Sequence, residues 1–249
     1  MTRKWIKKLQ SYIGEFFASF IFGFAVYTSI IGSAQTGQSA GPIIVALTIA
    51  LSGVAIIYSF CDITVAHFNP AITFSAMCFR RLPFFGGIFI IIFQVAGFII
   101  AGLASVAVLP GKYKNKLEIA RPKRVADNVS RGRIFGTEFF LTAILVYVAF
   151  AVGVNPYTPP KDEHGDQLDP DEGLTEGRKI TAPLAIGFTL GFCALLGIAS
   201  SGGAFNPGIV LSPMILTGTW DFWWVYLLGQ FSGGLLGGGL QRFLLYKIF

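Results

Sequence analysis

Apolar residues run along this chain in lengths suited to a bilayer rather than in the stripes of a surface helix. No Asp, Glu, Lys or Arg occurs in 16–59, 82–111, 139–160 or 180–220. Each run holds at least one stretch of about 20 residues, enough to cross a hydrocarbon core of about 30 Å. Cutting the runs at glycine, proline and polar punctuation predicts six spans, at about 9–33, 41–61, 84–109, 133–153, 180–199 and 222–246. Two apolar pieces remain, 69–79 and 206–217. At a rise of 1.5 Å per residue these reach only about 17 Å, so they are expected to enter the membrane as re-entrant half-helices.

Composition agrees with this pattern. Of 249 residues, 53% are hydrophobic and 13% charged, with a mean hydropathy of +0.65. An ordinary soluble domain carries about 25% charged residues. The reading is an integral, multi-pass, all-α membrane protein. Arg3, Lys4, Lys7 and Lys8 precede the first span without a small-residue cleavage pattern, so that span is read as retained. Cys61, Cys78 and Cys193 lack metal-ligand spacing, which argues against a zinc site or a disulfide framework. No nucleotide, metal or acid/base motif is present. No enzyme, cofactor or nucleic-acid partner is expected.

The two halves read as copies. Asn69-Pro70-Ala71 returns as Asn206-Pro207-Gly208, Glu15-Phe16-Phe17 as Glu138-Phe139-Phe140, and Gln94 with Gly97 as Gln230 with Gly233. Pro42 stands six residues before Thr48, and Pro183 six before Thr189. We therefore expect one domain of two repeats, about 9–110 and 131–247, joined by a basic loop at 111–130. Three spans per repeat is an odd number, so the second copy enters from the opposite side. Inverted repeats place their site near the midplane where they meet. Proline suits the first helical turn, and an Asn ahead of it caps that helix while offering a side-chain N–H. Two half-helices would then meet N-terminus to N-terminus, and the irregular backbone leading to them is tolerable where it lines an aqueous path.

His67-Phe68-Asn69-Pro70-Ala71-Ile72-Thr73, the segment Ala182 to Gly187, Glu138 with Thr142, and Gln94 with Gly97 together resemble the aquaporin, or major intrinsic protein, family across essentially the whole chain. The resemblance implies six tilted helices and two half-helices, a pore in every protomer, and a homotetramer. It makes Asn69, Pro70, Ala71, Asn206, Pro207 and Gly208 the central pore constriction. There, two helix N-termini would disfavour cations. It also implies that Glu15 and Glu138 accept hydrogen bonds from the unwound segments before each half-helix, and that His67 stands near the cytoplasmic pore lining. Gly229, Gly233 and Gly237, like Gly97 with Ala101, have the spacing that lets membrane helices approach closely, with a kink or hinge as the alternative role.

The chain departs from the family at its outer filter. Most water channels carry an Arg directly after the second tripeptide; here that residue is Ile209. The family's spacings put the other filter positions on Ile49, Ala194 and Gly203. No register shift restores an arginine, because no Lys or Arg lies between Lys179 and Arg242. Such an apolar filter either passes bulkier neutral solutes or dewets and slows water. It is similar to the filter of the small basic intrinsic proteins of plants. The expected function is a passive channel for water and small neutral solutes such as glycerol or urea. The alternative is a structural or junctional membrane protein of the same fold with little conduction.

Charge placement is the second departure. With a cytoplasmic N-terminus, eleven of the 19 Lys and Arg residues fall on the cytoplasmic side with both termini, and eight between Lys112 and Arg133 on the other. The positive-inside bias is weak. Arg121 or Arg124 is a candidate to dip toward the outer vestibule and supply the missing positive potential; the alternative is a solvated basic face that binds lipid head groups. The acidic loop at 154–179 reads as solvated, with a pore-capping gate or a Ca²⁺ site as other readings.

Overall fold

The computed structural model describes residues 3–154 and 172–245. The described part folds as helices α1 (Arg3–Thr36), α2 (Gly41–Phe60), α3 (Pro70–Cys78), α4 (Phe84–Val108), α5 (Tyr113–Ala120), α6 (Arg131–Ala149), α7 (Glu172–Gly197), α8 (Pro207–Thr217) and α9 (Trp223–Gly239). Of these, α1, α2, α4, α6 and α7 are long and apolar enough to cross a membrane. The sixth span is α9, whose 17 residues continue through a π-helical turn at Leu240–Leu245. A similar turn, Phe150–Val154, extends α6.

Several boundaries differ from the sequence-based ones. Helix α1 begins at Arg3 rather than near residue 9, since Lys and Trp do not break a helix and Lys8 packs over the Trp5 ring at 5.4 Å. The segment expected as a plain loop at 111–130 contains α5. Its Leu117 and Ala120 are buried, and the Lys116 ammonium donates to the carbonyls of Val106 and Leu109, closing the C-terminus of α4. Helix α7 starts at Glu172, so the loop expected to 179 ends inside a helix. Residues 155–171, with the gate and Ca²⁺ readings of their acids, lie outside the described residues.

Within each half the first and third spans pack tightly, α1 on α4 and α6 on α9, and α2 lies against α7 across the halves. Small residues make this closeness sterically feasible. A Cβ on Gly97 would stand 2.3 Å from the Phe16 carbonyl oxygen, and one on Gly233 would stand 2.1 Å from that of Phe139. In a bilayer, where apolar side chains gain little by leaving lipid, such backbone contact is a main source of helix association. The half-helices α3 and α8 sit inside this frame, α3 against α4 and α9, and α8 against α4, α5 and α9.

Candidate functional site

The site is built from two unwound segments, each held by a buried carboxylate. Glu15 Oε1 accepts from the Thr64 hydroxyl at 2.9 Å and the His67 N–H at 3.0 Å; its Oε2 accepts from the Phe68 N–H at 2.9 Å and the Gln94 amide at 2.6 Å. Glu138 repeats the arrangement. Oε1 accepts from the Ser201 hydroxyl at 2.6 Å and the Ala204 N–H at 3.0 Å; Oε2 accepts from the Phe205 N–H at 2.7 Å and the Gln230 amide at 2.6 Å. A buried charge is tolerable only when partnered in this way. The payoff is local backbone control. Phe68 and Phe205 are held at φ 32° and 33°, a left-handed conformation that costs a non-glycine residue about 1–3 kcal/mol.

That turn delivers Asn69 and Asn206 to their capping positions. The Asn69 Oδ1 accepts from the Ala71 N–H and the Asn206 Oδ1 from the Gly208 N–H, both at 2.9 Å. Their amide nitrogens reach across the halves, Asn69 Nδ2 to the Phe205 carbonyl and Asn206 Nδ2 to the Phe68 carbonyl, both at 3.0 Å. An amide carries two N–H groups, so each Asn keeps one proton beyond this cross-bond. Pro70 and Pro207 occupy the first helical positions, where no N–H is needed.

Cavities open on both sides of this junction. One, of about 670 Å³, is lined by His67, Phe68, Asn69 and Ile72, among others. His67 is buried and its Nδ1 lies 3.1 Å from the Thr73 hydroxyl. The other, of about 480 Å³, brings together Ile49, Ala194, Gly203 and Ile209 from three helices and one unwound segment. Tyr27, fully buried, donates its hydroxyl to the Ile209 carbonyl at 3.3 Å. Among the described residues no group of three or more His, Cys, Asp or Glu is placed to hold a metal ion.

Sequence reasoning missed the reason for Gly208. A Cβ there would lie 2.1 Å from the Phe98 ring, which is fully buried against it. In the other half Ala71 faces Gly234, four residues after Gln230 as Phe98 is four after Gln94; a Cβ on Gly234 would approach the Ala71 carbonyl to 3.3 Å. The halves thus exchange bulk between half-helix and third span. Only the pairing Gln94 with Gln230 could have suggested it.

The two basic candidates of the loop part company. Arg124 is 40% exposed, pairs with Asp127 at 3.1 Å and lies over the Phe222 ring, as does Arg131. Arg121 is only 8% exposed and lines the cavity that holds Ile209. Its Nε donates to Glu118 Oε2 at 2.8 Å, and Glu118 Oε1 accepts from the Thr219 hydroxyl at 2.7 Å. Burial pushes the Glu118 carboxyl up, but the hydrogen bonds from Thr219 and Arg121 and the nearby cations outweigh it and hold the group below its usual range.

Comparison with known proteins gives concordant results. The model of the family described as "Major intrinsic protein" matches residues 2–241. A protein named "Aquaporin" from Encephalitozoon cuniculi is 54% identical over 248 residues, covering 100% of this chain and 99% of the relative. Another so named, from Encephalitozoon hellem, is 49% identical with the same coverage. Among solved structures, the aquaglyceroporin from Plasmodium falciparum superposes with a TM-score of 0.78 at 18% identity, over 96% of this chain and 97% of that one. At that identity the likeness is one of fold.

Proposed function

This chain belongs to the major intrinsic protein family, whose members are membrane channels, and we propose from that premise that its own pore runs between the two cavities, past Asn69 and Asn206. The observation that carries this reading is the reciprocal cross-bond between the half-helices. It leaves one amide proton on each Asn at the point where two helix N-termini converge, a pair of donors for a passing oxygen in a place where a cation meets two positive dipole ends. The matched braces at Glu15 and Glu138 support a single domain of two inverted repeats.

The permeants are water and small neutral solutes such as glycerol or urea. Ile49, Ala194, Gly203 and Ile209 form the filter in this reading, and the cavity they line faces the extracellular or lumenal side, with the termini cytoplasmic. Exposed apolar side chains along the spans, Leu47, Leu51, Phe140 and Phe188 among them, suit lipid or neighbouring protomers of a homotetramer. Stopped-flow light scattering on vesicles carrying the purified protein tests the proposal. Water efflux well above that of empty vesicles is expected, with measurable glycerol or urea entry. Efflux equal to empty vesicles would favour a structural role, for which the apolar, readily dewetted filter gives a physical reason.

A further inference from the structure

Arg121 sits where an exposed loop has no reason to bury a cation. The loop's backbone is tied on both sides of it: Lys116 clamps α5 to the end of α4, Leu117 and Ala120 are buried, and the Val125 N–H donates to the Ser200 carbonyl at 3.1 Å, just before the second unwound segment. The side chain is aimed inward by that anchoring. Its Nε is taken by Glu118, its Nη1 lies 3.7 Å from the exposed Asp221 carboxylate, and Nη1 has no hydrogen-bond partner although it is buried. Glu118 takes only one of the five guanidinium N–H groups, and the residue lines the cavity, so that side chain keeps donor capacity for a ligand oxygen there. Ile49, Ala194, Phe22, Val26 and Ile209 give the same cavity apolar walls, and Ser33 and Gln38 are its uncharged hydrogen-bonding side chains.

We propose that Arg121 is a specificity-determining residue of the channel: it supplies, from the loop between the repeats, the cationic donor of the mouth lined by Ile209, admitting neutral oxygen-bearing solutes and turning cations back. The inference rests on the channel reading above. Lys123 and Arg124 line the same cavity. Arg124, however, is engaged by Asp127 and Phe222 and open to solvent, so its field is the more strongly screened.

The test uses the full chain in vesicles, reading water efflux by light scattering and sodium and proton leak by entrapped dyes. With Arg121→Gln the cation leak should rise about tenfold while water efflux stays within about twofold, and Arg121→Lys and Arg124→Gln should leak as the wild type does. The rise should persist in high salt, since a charge inside the mouth is screened little. Arg121→Cys provides a second reading within one assembled sample. A trimethylammonium-ethyl thiosulfonate reagent should lower its leak and a sulfonatoethyl reagent should not, with the wild type treated alike to account for Cys61, Cys78 and Cys193. Wild-type leak in Arg121→Gln with water efflux intact overturns the assignment, as does an equal rise in Arg124→Gln. Failure of both the Gln and Cys variants to assemble would make Arg121 a structural residue and overturn it too. A wild type without water efflux would instead overturn the channel reading beneath it.

Discussion

Asn69 and Asn206 hold each other's approach to the midplane: each side-chain amide donates at 3.0 Å to the carbonyl of the residue immediately before the other, Phe205 and Phe68 respectively. Each Asn thus caps its own half-helix with its oxygen and ties down the opposite unwound segment with its nitrogen. Removing one side chain frees a helix end and a buried carbonyl together.

Accordingly, Asn206→Ala and Asn69→Ala should each lower water efflux several-fold or loosen the exclusion of cations, since a buried partner left unpaired costs about 1–3 kcal/mol and the donor itself is lost. Stopped-flow and leak assays on assembled variants measure both. Wild-type values in the two variants would remove the Asn pair from the conduction pathway.

Restoring alanine in the second tripeptide should harm this protein. Gly208→Ala places a methyl group 2.1 Å from the Phe98 ring, and overpacking of this kind costs about 1–3 kcal/mol. Phe98→Ala alone should cost about 3–5 kcal/mol through the cavity it leaves. The double variant should recover part of both losses, because the new methyl group occupies the space the ring vacates. Unfolding midpoints in detergent of the four proteins form the cycle; additive losses would mean that the two residues do not share the space.

Ile209→Arg should cut glycerol or urea flux relative to water, because a long cationic side chain narrows the cavity that Ile209 lines and places a second guanidinium near Arg121. The ratio of solute to water permeability from one vesicle preparation reads this directly. An increased ratio would show that the residue 209 side chain turns away from the pore.

Acid should loosen the loop that carries Arg121. Glu118 has a carboxyl lowered below the ordinary value of 4.5, so its bonds to Arg121 and Thr219 contribute stability that is fully present above pH 4.5 and is lost as the pH falls through the lower, folded-state value. Hydrogen-exchange protection across α5, taken relative to the intrinsic amide rate at each pH, should therefore fall below pH 4.5 in the wild type. Glu118→Gln should show the lowered protection already at neutral pH and lose the acid step; an acid step unchanged in that variant would assign it to another group.

The Glu braces and Asn caps were legible because each needs only a residue type at a fixed distance along the chain, and the second half repeats the first. Glu15 pairs with Gln94, and Glu138 with Gln230, at positions the repeat already matches. Helix α5 was not legible: its buried face rests on Leu117, Ala120 and a lysine whose partners are carbonyls of α4, and carbonyls leave no trace in sequence. The fate of the basic loop was open for the same reason. Arg121 and Arg124 lie three residues apart with similar neighbours, and only the anchoring of α5 and Val125 buries one and leaves the other partly open to solvent.

Taken alone, the sequence determined the membrane-spanning lengths, the two half-helices, the duplication and the absence of an arginine after the second tripeptide, because hydrocarbon thickness, proline chemistry and internal repetition are properties of the chain itself. Tertiary structure alone decided that Phe98 fills the space an alanine at 208 would need, and that Arg121 enters the cavity beside Ile209. Those outcomes depend on which surfaces meet when the halves close. Close packing makes such meetings specific to within a methyl group, and no local pattern along the chain records them.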